Sequence, residues 1–200
     1  MKRAKLIGKF DKQARMYEKR RKRLEQKQWR QKLLQTAEGQ VLELGVGAGA
    51  NFPFFDARVE VTAVDFSPEM LQKAREAAAE YGITAEFVQA DIEDITFAPD
   101  SFDTVVSTLS LCSYNAPLRF LKKCRRWCKK DGRILLMEHG ISSNRIVASV
   151  QKVLNPLSYR VVGCHQTRDV MDLIRSSGIV VERAEHYLAG MVHLVWAKPD

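Results

Sequence analysis

No stretch of this chain is long and apolar enough to cross a bilayer, which takes about 20 consecutive residues, and nothing resembles a signal peptide. Cysteine is scarce: Cys112, Cys124, Cys128 and Cys164 stand in no paired pattern. That excludes a disulfide scaffold and points to a cytoplasmic chain with reduced thiols. Cys124 and Cys128 fit one helix face, yet the short paired spacings of zinc motifs are missing, so no metal site is expected. Internal repeats are absent, and the only biased tract is basic. With 200 residues, 46% of them hydrophobic, the chain suffices for one domain with its own core and leaves no room for a second catalytic one.

Charge is unevenly spread. Residues 1–36 carry 14 Lys/Arg against 3 Asp/Glu, whereas residues 37–200 carry 18 against 21. A basic arm on a nearly neutral body favours an anionic partner, either a phospholipid surface or a nucleic acid. Residues 9–36 lack Gly and Pro and are rich in helix formers, so they read as one long helix with a narrow stripe of Phe10, Ala14, Tyr17 and Leu24. The run 19–23 is too charged for a core and places this helix, as an arm or lid, over the body.

From residue 40 the pattern is strand, turn, helix. Short apolar runs at 41–44, 59–64, 87–88, 104–109 and 134–137 alternate with helical stretches at 68–81 and 117–130, the first capped by Ser67 with Pro68 behind it. Such alternation implies a parallel sheet with helices on both faces. Two more runs, 180–186 and 191–198, read as an antiparallel hairpin. Before them, Ile146, Val147, Val150, Val153, Leu154 and Leu157 recur at helical spacing. Packing on the body is the plainer reading of this stripe; a lid spanning 142–165 is the alternative.

The stretch VLELGVGAGANFPFF puts glycines 45, 47 and 49 directly after the first strand. Gly-x-Gly-x-x-Ala suits a dinucleotide pyrophosphate; Glu-x-Gly-x-Gly-x-Gly suits a cationic amino-acid ligand. Glu43 would repel a pyrophosphate and attract an ammonium group. Asn51, Phe52, Pro53 and Phe54 make a poor anion cradle beside a clean helix N-terminus. Asp65 ends the second strand, where a carboxylate accepts ribose hydroxyls in either case. Asp91 comes after the third strand and suits an adenine amino group, with Phe66 and Ile92 offering apolar faces; an ordinary loop acid or helix cap is its bland reading.

VLELGVGAG, VTAVDFSPEML, QADIEDITFAPDSFDTVVSTLSLCSY and KKDGRILLMEHG resemble, in order and spacing, the successive motifs of class I S-adenosylmethionine-dependent methyltransferases. KFDKQARMYE resembles the opening helix of many members, which closes over the cofactor. The resemblance implies an α/β, Rossmann-like doubly wound, mostly parallel seven-stranded sheet with a terminal antiparallel hairpin and helices on both faces. It divides the chain into an N-terminal arm, 1–36, and a methyltransferase domain, 37–200. For S-adenosyl-L-methionine it implies Glu43, Gly45, Gly47 and Gly49 at the methionine portion, Asp65 at the ribose, Phe66, Asp91 and Ile92 around the adenine, Leu109 by the sulfonium, Tyr17 closing the site and Met70 as a further cofactor contact. Lys130-Asp131-Gly132 departs from the common Pro-Gly-Gly at a turn that carries no ligand contact.

Methyl transfer is an in-line displacement, so alignment and exclusion of water do most of the work and a base is needed only for a protonated acceptor. Candidates stand at strand ends: Cys112, Ser113, Tyr114, Glu138, His139 and His165. Of these His139, which titrates near neutrality, and Tyr114 are the catalytic expectations, a structural hydrogen bond being the alternative for His139. Similarity to alkyl-thiol, phosphatidylethanolamine and quinone-ring methyltransferases implies a small amphiphilic or membrane-borne acceptor and a peripheral place at the inner face of an anionic membrane. An RNA methyltransferase using the basic arm, or a cofactor-binding protein without turnover, are the alternatives. No RNA-binding module is recognisable.

Overall fold

The computed structural model describes residues 3–200. Its sheet has seven strands: β1 (Gln40–Leu44), β2 (Glu60–Asp65), β3 (Thr84–Gln89), β4 (Phe102–Thr108), β5 (Cys128–His139), β6 (Val180–Tyr187) and β7 (Val192–Lys198). The order is β3-β2-β1-β4-β5-β7-β6, and β7 alone runs against its neighbours. The doubly wound sheet and terminal hairpin expected from the sequence are therefore present. Order reverses between β1 and β4, the place where open α/β sheets bind ligands beyond the strand ends.

Among the described residues six α-helices surround the sheet: α1 (Arg3–Lys22), α2 (Lys27–Leu34), α3 (Pro68–Tyr81), α4 (Pro117–Trp127), α5 (Arg145–Val161) and α6 (Val170–Ser177). Alternation along each strand feeds two cores. Val41, Val61, Ala63 and Leu135 pack with Leu33 and Leu34 of α2 and Leu71, Ala74 and Ala77 of α3. Leu42, Val64, Val105 and Leu136 pack with Phe120, Leu121 and Trp127 of α4 and Ile174 of α6. Full burial of such side chains contributes about 1.5–3 kcal/mol each.

Several boundaries differ from the sequence reading. The single helix over 9–36 is two helices, broken where Leu24 and Gln26 take left-handed backbone (φ 50° and 60°). Lys19, Arg20, Arg21 and Lys22 occupy the last turn of α1, where cations complement the exposed carbonyls, so this charge run marks a helix end. Arg21 is itself buried, paired with Glu80 at 2.6 Å and lying 5.6 Å over the Tyr81 ring. A charged run can thus supply a core contact when one member has a partner. Helix α4 stops at Trp127 because Cys128 turns extended and pairs with Phe102. Helix α6, unforeseen, is capped by Asp169, which accepts from the Asp172 N–H.

The stripe on α5 does not pack on the body. No residue of α5 is buried; Ile146 and Val153 are 77% and 78% exposed, and Val150, Leu154, Leu157 and Val161 are exposed beside them. The C-terminal end of α5 meets α1, where Lys9 donates to the Arg160 carbonyl.

Candidate active site

Strands β1, β2 and β4 end around a cavity lined by Gly45, Gly47, Asp65, Phe66, Met70, Ile92, Leu109 and Tyr114 and roofed by Phe10 and Tyr17 of α1. A second cavity, lined by Leu6, Ile7, Asp91 and Glu93, shares Phe66, Ser113 and Tyr114 with it. The expected cofactor residues thus meet at one place, with three exceptions: Glu43, Gly49 and Asp91 do not line this cavity. Asp91 borders the second lobe, where its carboxylate accepts from the Glu93 N–H at 2.7 Å. Glu43 lies behind the glycine turn.

The glycines divide their work. At Gly47 (φ +54°) the nearest atom to an added Cβ would be on Tyr17, 3.9 Å away, so this backbone faces open space. At Gly49 (φ +75°) an added Cβ would meet the Ala77 Cβ at 2.8 Å, so that position seats the turn against α3. The turn is fixed from β2: Asp65 accepts from the N–H of Gly47 and of Ser67, each at 2.9 Å. Burial pushes the Asp65 carboxyl up to about 6 against these hydrogen bonds. After the glycines the chain enters a 3₁₀ turn, Phe52–Phe54, and not a helix N-terminus offering free N–H groups.

Behind the turn lies a buried polar network. Glu43 accepts from the Asn51 amide at 2.9 Å, while its second oxygen has no partner. Its pKa is driven up to about 8 by burial, opposed by Asn51 and Arg30. Arg30, from α2, donates to Asn51 and to Thr108 and Gln26, at 3.1 and 3.0 Å for the last two. Burial holds its pKa down to about 10, with Glu43 and Glu138 pulling the other way. Arg30 is the only cationic residue among the described residues lining the cavity. The sequence reading assigns Arg30 to the basic N-terminal arm and gives it no role in the site. The available signal was its spacing with Leu33 and Leu34, which puts it on the inward side of α2.

The roof is aromatic. Phe10 meets Phe66 edge-on at 5.3 Å, and Tyr17, over Gly47, has its hydroxyl pKa pushed up to about 12, chiefly by burial. The Tyr114 hydroxyl is buried, close to Gly45, and finds no hydrogen-bond partner. Its pKa is pushed far upward, chiefly by burial, so it stays protonated and can only donate or accept a hydrogen bond. Leu109 takes left-handed backbone (φ 55°) beside it, which ends β4 one residue early.

The remaining candidates lie outside the cavity lining or at its edge. Buried Glu138 accepts from Ser107 at 2.6 Å and from the N–H of Ser110 and Leu111, tying β5 to the loop after β4. His139 does not line the cavity; its ring bonds Cys164. Burial alone lowers the His139 pKa, but Cys164 and Glu138 outweigh it and the net shift is upward. Cys164 in turn is lowered by hydrogen bonds from Cys112 and His139, and Cys112 is raised. The Cys112 and Cys164 sulfurs lie 3.0 Å apart. These three side chains, far apart in sequence, converge where short spacing rules had indicated no metal site. His165 stacks on Tyr159 at 4.1 Å; His186 and His193 pair with each other at 2.8 Å in the hairpin.

A model described as "methyltransferase domain" matches residues 42–136. Over 118 residues the chain is 37% identical to the phosphatidylethanolamine N-methyltransferase of Cereibacter sphaeroides, covering 58% of each protein. Over 164 residues it is 32% identical to the thiol S-methyltransferase TMT1B of Mus musculus, covering 80% of this chain and 63% of that one. It spans about three fifths of the length of these curated relatives. Its fold matches the structure of a SAM-dependent methyltransferase, possible histamine N-methyltransferase, from Thermotoga maritima, with a TM-score of 0.69 at 19% identity over 98% of this chain and 100% of that one.

Proposed function

We propose that the chain is a class I S-adenosylmethionine-dependent methyltransferase, as the match of residues 42–136 to a methyltransferase domain and its likeness to named methyltransferases support, and that it methylates a small amphiphilic or membrane-borne acceptor: a phospholipid head group, a quinone precursor or an alkyl thiol. S-Adenosylmethionine supplies a methyl group on a cationic sulfur, open to in-line displacement. The residues present fit it. Asp65 spends one lone pair per oxygen on backbone N–H groups and keeps others for the ribose hydroxyls. Gly47 leaves the floor open, and the partnerless Tyr114 hydroxyl marks a place for a polar ligand atom. Arg30 takes the methionine carboxylate, its guanidinium held by Asn51, Thr108 and Gln26, with Asn51 held in turn by Glu43. Phe66, Met70 and Ile92 give the adenine apolar walls, Asp91 reads its edge from the neighbouring lobe, and Leu109 flanks the sulfonium. Phe10 and Tyr17 exclude water, which strengthens every electrostatic contact inside. The acceleration then comes from alignment, with Tyr114 as a positioning donor.

The observation that carries the acceptor class is the apolar face of α5, unburied beside the site roof and joined to basic α1. An apolar stripe flanked by Lys and Arg is the pattern of a helix lying in a membrane interface; each nearby cation adds about 1 kcal/mol on an anionic surface. Among the described residues no helix is long and apolar enough to cross a membrane. The test is incubation with methyl-labelled cofactor and a panel of lipid extract, quinone precursors, alkyl thiols and RNA. Label should appear in an apolar acceptor. Label in RNA alone would overturn the reading. In parallel, Val153→Asp with Leu157→Asp should release the protein from anionic vesicles while leaving S-adenosylhomocysteine affinity unchanged; undiminished co-sedimentation would count against α5 as the docking face.

A further inference from the structure

Three side chains that the methyl-transfer reading leaves unused meet beside the cavity. Cys112 is in the short turn after β4, His139 ends β5, and Cys164 comes shortly after α5. Their donor atoms all lie within 4.8 Å of one another, with the two sulfurs at 3.0 Å. We propose that Cys112, His139 and Cys164 bind a divalent metal ion of the zinc class. The inference goes beyond the methyl-transfer reading and does not depend on it.

Two thiolates and one imidazole are the donor set that this borderline-soft ion prefers. With Zn–S near 2.3 Å and Zn–N near 2.0–2.1 Å, tetrahedral donors sit roughly 3.5–3.8 Å apart, so side-chain adjustments of about 1 Å bring these three onto one face of a tetrahedron. A disulfide explains the cluster less well, because it would leave the ring on Cys164 without a purpose. The backbone also holds the donors together. The His165 N–H donates to the Cys112 carbonyl at 3.0 Å, joining the two cysteine segments. Ser158 donates to the Cys164 carbonyl at 3.3 Å, anchoring the second segment to α5. Three protein donors leave a fourth position for water. Bound metal would tie the far end of α5 to the ends of β4 and β5, next to Ser110 and Ser113 of the cavity wall.

The experiment uses the full chain, reduced and stripped of metal, titrated with Co²⁺ and then Zn²⁺. Wild type should bind one Co²⁺ per chain with a thiolate charge-transfer band, lose the band to Zn²⁺, and gain thermal stability with either ion. Cys164→Ser, a change at a half-buried position, should abolish both effects, while Cys124→Ser, in the α4 core, should retain them. Absence of the band in reduced wild type, or its survival in Cys164→Ser, would overturn the proposal. So would loss of the Cys112 and Cys164 thiols to a disulfide that excludes metal under the same conditions. Neither readout requires a known acceptor, so failure here leaves the methyl-transfer reading standing.

Discussion

Replacing Arg30 with Met should separate cofactor affinity from stability. The guanidinium is buried among Asn51, Thr108 and Gln26. Its pKa, about 10 against an ordinary 12.5, means that the cavity withholds part of the solvation the cation would have in water. At about 1.4 kcal/mol per pH unit the deficit is roughly 3 kcal/mol. A ligand carboxylate at about 4 Å returns roughly 4 kcal/mol at an effective dielectric of 20, so the deficit is recovered when the methionine portion arrives. Met should therefore weaken S-adenosylhomocysteine by about 2–4 kcal/mol, or roughly 30- to 1,000-fold. Stability should fall by no more than about 1–3 kcal/mol. Glu43, with a pKa of about 8, is largely protonated at neutral pH and is not left as a bare charge. Replacing a buried ion by an apolar side chain of similar volume is often neutral or favourable, whereas the orphaned Asn51 oxygen costs about 1–3 kcal/mol. Calorimetry with S-adenosylhomocysteine and with adenosine, beside thermal unfolding, provides the check. Adenosine, lacking the carboxylate, should bind wild type and variant alike. Equal losses for both ligands would show that Arg30 shapes the pocket and does not read the carboxylate.

The Asp65 carboxyl gives a pH dependence whose sign is fixed by its pKa of about 6 in the fold against 3.8 in water. Ribose hydroxyls need the ionised acceptor, so cofactor affinity should hold above pH 7 and fall about tenfold per unit below 6. Its contribution to stability runs the other way: the folded chain holds the proton more tightly, so that contribution is full below pH 4 and lost as pH rises through 6. Calorimetric affinity that stays flat from pH 7.5 to 5 would reject the assignment. Asp65→Ala should abolish binding by removing the ribose acceptors, and wild-type affinity in that variant would reject it equally. Gly47→Trp should also abolish binding, because its side chain projects into the cavity from a left-handed residue, while circular dichroism still reports the α/β fold. Retained affinity would mean that the cofactor lies elsewhere.

The sheet was legible because its signals are local: β-branched runs, Ser67-Pro68 before α3, and glycines directly after a strand. Five of seven strands fall within about two residues of their apolar runs; β3 begins at Thr84, ahead of its run at 87–88, and β5 begins at Cys128 because that residue bridges to Phe102 across a bulge. The glycine turn was legible because Asp65 and Gly47 are joined by one hydrogen bond across adjacent parallel strands, a geometry imposed by the fold. Arg30 was not, since its burial depends on a helix break at Leu24 and Gln26 that no Gly or Pro announces. The cluster of Cys112, His139 and Cys164 escaped for another reason. Its members come from two connections and a strand end, far apart in the chain, and spacing rules detect only donors that one segment supplies.

The helix α5 shows where periodicity stops being informative. Its stripe has the spacing of a core helix, and burial was the plainer expectation. Periodicity reports that a face is apolar and leaves open what covers it. In this fold both sheet faces are already taken, one by α2 and α3 and the other by α4 and α6. A further amphipathic helix inserted after β5 has no sheet left to pack on, so its stripe stays out of the core. An apolar acceptor arriving from a membrane would meet that stripe before it met the sulfonium. On this argument, polar substitutions along α5 should raise KM for an acceptor presented in vesicles more than for the same acceptor in dilute detergent, with kcat unchanged in both. An equal rise in the two media would mean that α5 contacts the acceptor itself and not the surface that carries it.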